Sequence, residues 1–235
     1  MLTINSKDRT ITSTSSSNFV LQNIWETEIK GFYPEYISLP FSFYNISSSY
    51  NSIRVSGVTI SVTAGQYSAT SLATALQAAL IAGMVDATYT CTYSTITGKF
   101  TIARTGNFTL DLNSSLFLMK RQLGFNGTSQ LSGAATYTSD SFANLQNSNS
   151  ISVHSNVFGK ALDNAMTDGK GEVMFSVPID KLPGEIIVYK PDPGIKYYFR
   201  QPLSLTERVT FYLRDINNNA VDLNGCDWEM RLVLF

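Results

Sequence analysis

The 235-residue chain has a single histidine, His154. Most common catalytic constellations fall away with that, a zinc site of two or more imidazoles first among them, and a lone histidine in a strand reads as structural. There are two cysteines, Cys91 and Cys226; both lie in segments that read as strands, so no disulfide framework is expected and both are taken as buried thiols. Charge is scarce: 15% of residues are charged, against about 25% in an average soluble domain. The 17 basic and 18 acidic side chains leave a net charge of -1, so no long-range field gathers phosphate backbones or anionic lipid, and charge-driven nucleic-acid binding is not expected. No apolar run is long enough for a membrane span: Val55 to Val85 carries no charge, but Gly57, Gln66, Ser68, Ser71 and Gln77 interrupt it well short of ~18 apolar residues. The first nine residues are polar, with no apolar signal-peptide core, and the protein is expected to be made and used without secretion.

Catalytic motifs are missing too. The sequence holds no H-E-x-x-H, C-x-x-C, G-x-S-x-G or Walker-type glycine loop. Gly169-Lys170-Gly171 precedes a strand where a phosphate cradle would need a helix start, and it reads as a turn. Asp163, Asp168 and Glu172 lack the order of a calcium loop, so a solvated loop is expected there. Asp215 to Gly225, with three consecutive asparagines, reads as the turn region before the last strand. Two acids across a cleft would suffice for glycosidase chemistry, yet no spacing selects a pair. Lys120-Arg121 beside Phe117 and Phe125 hints at a basic aromatic surface, but two charges make no nucleic-acid groove. The sequons at Asn45, Asn107, Asn113 and Asn126 are expected by chance in so polar a chain. No residue is assigned to catalysis, cofactor or metal, and no cofactor is expected.

What the chain does have is apolar content and neutral polarity. Hydrophobic residues make up 43%, enough to bury a core without metals or disulfides, and 28 Ser, 23 Thr and 17 Asn must cover most of the surface. Residues 1–17 end in a Ser/Thr tract and read as an N-terminal arm. Strands are expected at Asn18 to Gln22 and from Glu28 to Leu39, where Pro34 suggests an edge position or a bend. Two short alternating runs, Ser52 to Val55 and Val58 to Val62, flank Ser56-Gly57, the two-residue turn of a hairpin. Leu72, Ala75, Leu76, Ala79 and Leu80 then form one apolar stripe at helical spacing, with Ser71 or Thr70 to cap its start and Gly83 its end. A second hairpin turns at Thr97-Gly98 between Ala87–Tyr93 and Lys99–Arg104, a short strand follows at Phe108–Leu112, and Leu116–Leu123 suggests a helical turn. The last third is almost pure strand: Ile151–His154, Glu172–Val177, Glu185–Tyr189, Tyr197–Arg200, Arg208–Arg214 and Trp228–Phe235, punctuated by prolines and glycines. With the two early strands this makes eight. The expected fold is all-β, a single eight-stranded antiparallel jelly-roll sandwich (18–52 and 150–235) interrupted by a small α/β insertion (53–126) and a Ser/Thr/Asn-rich connector (127–149).

Three segments together carry a resemblance: Ser6-Lys7-Asp8-Arg9 ahead of Asn18-Phe19-Val20-Leu21; Gly65-Gln66-Tyr67-Ser68 with the following helix and Leu123-Gly124-Phe125; and Val209 to Phe235 with Val221-Asp222-Leu223-Asn224-Gly225 and Asp227-Trp228. The set resembles single-jelly-roll penton and minor capsid proteins of virophages, polinton-like viruses and large eukaryotic double-stranded DNA viruses. The resemblance implies a structural virion protein and not an enzyme, a homopentamer at a capsid vertex beside a major capsid protein, with no catalytic residues to carry over. A length of 235 residues is too short for the double jelly roll of a major capsid protein. A carbohydrate- or receptor-binding jelly roll, such as a spike head contacting a host receptor or glycan, is the alternative.

Overall fold

The structure is a computed structural model that describes residues 1–9, 15, 17–22, 28–146, 148–160, 173–192, 194–203 and 208–235. In chain order the strands are β1 (Leu2–Asn5), β2 (Asn18–Gln22), β3 (Ile29–Pro40), β4 (Ser52–Val55), β5 (Val58–Ser61), β6 (Thr90–Ser94), β7 (Lys99–Leu110), β8 (Leu131–Thr138), β9 (Ser150–Ser155), β10 (Val173–Pro178), β11 (Ile186–Tyr189), β12 (Tyr197–Leu203), β13 (Arg208–Arg214) and β14 (Glu229–Leu234); the helices are α1 (Ala69–Met84) and α2 (Lys120–Leu123). The chain divides into two compact units, residues 1–43 with 148–235, and residues 44–147.

The first unit is the jelly roll. One sheet runs β1-β14-β3-β11, with β12 also on β3; the other runs β10-β9-β13-β2, and every pairing is antiparallel. β11 pairs with Ile37–Pro40 and β12 with the Ile29–Phe32 end of β3, so the two share one position beside it. The roll thus has eight positions, and they pair first with eighth (β1·β14), second with seventh (β2·β13), third with sixth (β3·β11/β12) and fourth with fifth (β9·β10), the pattern of an antiparallel ribbon rolled on itself.

The expected count of eight is therefore right for a different reason. Leu2–Asn5, read as part of an arm, is the first strand: Leu2 and Ile4 alternate with Thr3 and Asn5, and Ile4 is wholly buried. The segments read as two separate strands at Glu185 and Tyr197 fill one position between them. The arm reading for residues 10–14 and 16 lies outside the described residues. Pro34 pairs with β14 on one side, where the register shifts between Arg231 and Leu232; on the other it falls in the gap between the stretch of β3 that pairs with β12 (Ile29–Phe32) and the one that pairs with β11 (Ile37–Pro40), a locally unpaired position that a residue without an N–H tolerates. The final strand, β14, lies between β1 and β3.

Inward residues of both sheets make one core, including Ile4, Phe19, Phe32, Ile37, Val153, Phe211 and Trp228. Its centre is aromatic: the Phe19 ring lies 5.6 Å from Trp228 and 5.8 Å from Phe211, and Phe158 lies 5.2 Å from Phe32. Full burial of each such ring contributes roughly 2–3 kcal/mol.

The second unit has its own core and runs β-β-α-β-β-α-β. Its sheet is ordered β5-β4-β7-β6, with β8 on the other side of β7. The first hairpin turns through Ser56 and Gly57, both at positive φ (44° and 79°), as a tight two-residue turn demands. The expected strands at Lys99–Arg104 and Phe108–Leu112 are one continuous β7, with Gly106 at φ 94° absorbing the irregularity between them. β8 lies inside the segment read as a connector: Leu131-Ser-Gly-Ala-Ala-Thr-Tyr-Thr is a mostly exposed edge strand with little apolar alternation to betray it. The unit accordingly extends from 44 to 147, beyond the expected 53–126 on both sides.

Helix α1 buries Leu72, Ala73, Leu76 and Leu80, and Gln77 Oε1 accepts the Cys91 N–H at 3.0 Å. Both cap assignments shift. Ser68 is the N-cap, accepting from Ser71 N–H at 3.1 Å while the Ser71 hydroxyl accepts from Ser68 N–H at 2.9 Å, a capping box with serine in the place usually held by Glu or Gln. Gly83 is still helical, and a Cβ there would stand 2.4 Å from Ile60 Cδ1; glycine serves close approach, and Val85 takes the left-handed C-cap at φ 51°.

Candidate functional site

The two ends of the resemblance meet in the jelly roll. Ser6 follows β1, is wholly buried, and donates its hydroxyl to Asp227 Oδ1 at 2.8 Å while accepting the Trp228 N–H at 3.0 Å. The backbone repeats the link, Ser6 N–H donating to Trp228 C=O at 2.9 Å. Arg9 closes the cluster: its Nη1 lies 2.8 Å from Asp227 Oδ1 and 2.8 Å from Ser6 C=O. Ser6, Arg9, Asp227 and Trp228 thus latch the first strand to the start of the last one, a contact between residues more than two hundred positions apart that sequence alone does not pair.

The outward faces of the two sheets differ in chemistry. On the β1-β14-β3-β11 sheet, Tyr36 donates to Glu229 Oε1 at 2.9 Å, Arg231 lies 3.6 Å from Glu35 and its guanidinium sits 5.1 Å from the centre of the Tyr36 ring. The hydrogen bond to Glu229, then burial, raises the Tyr36 phenol above its ordinary pKa. Beside this cluster Ile186 and Val188 project outward, 58% and 54% exposed. On the β10-β9-β13-β2 sheet the outward residues of β13 are Arg208, Thr210, Tyr212 and Arg214, with Ser152 and His154 next to them on β9.

His154 is 5% exposed, stacks on Tyr212 at 4.9 Å with an interplanar angle of 22°, and has Nε2 2.9 Å from Ser152 Oγ. Burial, with Arg214 adding to it, pushes its pKa down to about 4. The imidazole is neutral and enclosed, matching the structural reading of a lone strand histidine.

The other candidates resolve as follows. Asp215 to Gly225 is a turn region: Asp215 Oδ1 accepts N–H groups from Asn217 and Asn219 at 2.9 and 2.7 Å, Asp222 Oδ1 accepts from Asn224 N–H at 2.8 Å, and Asn218, Asn224 and Gly225 take positive φ. These carboxylates are engaged by their own loop. Lys120 Nζ lies 3.3 Å from Leu112 C=O, and Phe117 and Phe125 are buried against each other, so the two rings belong to the core and not to a basic aromatic surface. Cys91 is buried and its thiol is pushed up to about 12 by burial, but Cys226 is exposed: it lies in the turn after Gly225 and not in a strand, contrary to expectation. Asp163, Asp168, Glu172 and Gly169-Lys170-Gly171 lie outside the described residues. Among the described residues no group of three or more His, Cys, Asp or Glu side chains could hold a metal ion, and no helix is long and apolar enough to cross a membrane.

No family model and no curated protein matches the chain. Solved structures do. The chain superposes over 99% of its length on 97% of the mavirus penton protein, with a TM-score of 0.51 and 12% sequence identity. A chain in the structure of the Sputnik virophage is also similar, at TM-score 0.45 and 11% identity, with 99% of this chain and 97% of that one covered. The chain is a jelly roll that shares its fold, along nearly its whole length, with the mavirus penton protein.

Proposed function

We propose that this protein is a structural component of a virion, a penton capsid protein that closes the five-fold vertices of an icosahedral double-stranded DNA virus as a homopentamer beside a major capsid protein. The carrying observation is the likeness of fold to the mavirus penton protein across both units. The surface chemistry supports it. A subunit must stay soluble alone and then bury large areas of itself, and a chain rich in Ser, Thr and Asn with only 15% charged residues limits the ions that have to be desolvated on assembly. The Ser6–Asp227 latch suits a rigid building block by fixing an edge strand. In this reading the protein performs no reaction. Electron microscopy of the purified chain, alone and with shell proteins of its virus, tests it: five-fold rings or occupied vertices are expected, and a strictly monomeric chain absent from purified particles overturns it.

A second reading, attachment to a receptor or glycan, draws on one observation. At the β6–β7 turn the Phe142 ring is 71% exposed and lies against Gly98, where a Cβ would stand 2.1 Å from it, with Ile96 in the same turn 92% exposed. A glycan array separates the readings, since attachment requires binding that is lost in Phe142→Ala.

A further inference from the structure

We infer that Asn126-Gly127 is a self-modification site, where the folded protein slowly converts Asn126 to aspartate and isoaspartate, while the fold protects the second Asn-Gly pair, Asn224-Gly225. The sequence holds these two pairs and no others. The reaction needs only the chain and water. The glycine backbone nitrogen attacks the asparagine Cγ, a new N–C bond closes a five-membered succinimide ring, and the side-chain nitrogen leaves as ammonia with the proton the glycine nitrogen gives up. Water then opens the ring at either carbonyl, which yields aspartate or isoaspartate. Glycine is the favoured follower, because no Cβ shields its nitrogen or restricts its approach.

The two pairs differ in how they are held. Asn126 is exposed, and among the described residues its side-chain amide has no hydrogen-bond partner. The chain before it is anchored: Phe125 is buried and donates its N–H to Lys120 C=O at 3.0 Å, and the Asn126 N–H donates to Asp140 Oδ2 at 2.8 Å. The chain after it is not. Among the described residues the Gly127 N–H donates to no acceptor, and residues 127–130 belong to no helix or strand. The Cα–C bond of Asn126, which has to turn for the ring to close, therefore joins a fixed segment to an unrestrained one. Asn224 is tied at both ends: its side-chain nitrogen donates to Ser42 C=O, its N–H donates to Asp222 Oδ1 at 2.8 Å, and its backbone stands at φ 50° in the turn before Cys226. Closing the ring there breaks the Ser42 bond and unwinds the turn, which slows it about tenfold or more relative to Asn126. Each conversion of Asn126 adds one carboxylate to a chain of net charge -1 and places it in the loop whose backbone Asp140 already holds, so the like charges repel at the approach to β8.

Incubation of the full chain in warm, mildly alkaline buffer made with heavy-oxygen water tests this, read by ion-exchange chromatography and by mass spectrometry of a digest. The folded chain is expected to gain an acidic form whose label lies at residue 126, as aspartate and isoaspartate, about tenfold or more faster than any label appears at residue 224. In guanidinium chloride both pairs should convert at similar rates, since the protection of Asn224 belongs to the fold. Asn126→Gln carries a side chain one methylene too long for the five-membered ring, and the acidic form should be lost in it. Equal rates at the two pairs in the folded chain overturn the protection. An Asn126 that converts in guanidinium chloride but stays intact in the folded chain, or an acidic form that persists undiminished in Asn126→Gln, overturns the site.

Discussion

Acid should loosen this protein through one imidazole. His154 is held neutral by burial against Tyr212 and by the nearby Arg214 charge, with its pKa lowered from 6.5 to about 4. In the unfolded chain the ring takes up a proton as pH falls through about 6.5, whereas the folded protein resists until about 4. Between those values the unfolded state binds more protons, so stability is lost as pH drops through the window and the full loss is present below it. A shift of this size corresponds to roughly 3 kcal/mol at about 1.4 kcal/mol per pKa unit, of which roughly 2 kcal/mol falls between about pH 7 and 4.5. His154→Gln keeps a polar partner for Ser152 and does not titrate. Urea unfolding of parent and variant at about pH 7, 5.5 and 4.5 should therefore show the parent losing about 2 kcal/mol more than the variant across the series. Carboxylates common to both chains cancel in the difference. Parallel stability curves over this range would refute the assignment.

Ser6→Ala leaves the Trp228 N–H buried without its acceptor and should cost about 1–3 kcal/mol; an unchanged melting temperature would show that the latch bears no load. Gly83→Ala improves helix propensity by about 1 kcal/mol but puts a methyl against Ile60 Cδ1, the movable end of a side chain, so the two effects should largely offset and the melting temperature should stay near that of the parent; a large loss would show that Ile60 cannot move aside. Val85→Gly should stabilise by about 1 kcal/mol in chemical denaturation, since a β-branched residue is a poor occupant of the left-handed C-cap and its 93% exposed side chain loses little packing. A thiol reagent should label one cysteine in the folded protein, Cys226, and reach Cys91 only after denaturation.

Local signals are legible where several agree. Ser56-Gly57 between alternating runs locates the first hairpin, and the Leu72/Leu76/Leu80 stripe locates α1, because turn chemistry and apolar period act within a few residues. β1 and β8 are not legible: four residues with two apolar side chains, or an exposed edge with Gly133 inside it, carry little periodic signal, and both owe their existence to a partner strand supplied by another part of the chain. Glycine misleads at the end of α1 because close packing and left-handed backbone both select it, and only the structure shows Ile60 against Gly83. The latch residues stand out in the sequence as segments of a resemblance, yet the bonds joining Ser6 to Asp227 span the whole jelly roll and leave no local trace.

The order of pairing also has a bearing on synthesis. β14 lies between β1 and β3, so a nascent chain that has already emerged through the first forty residues holds two strands with an empty lane between them until Glu229–Leu234 leave the ribosome. Residues 44–147 pair only among neighbours and can fold while the rest is still being translated. The early strands must wait for the late one, and their unpaired edges are a natural client for a chaperone during that interval.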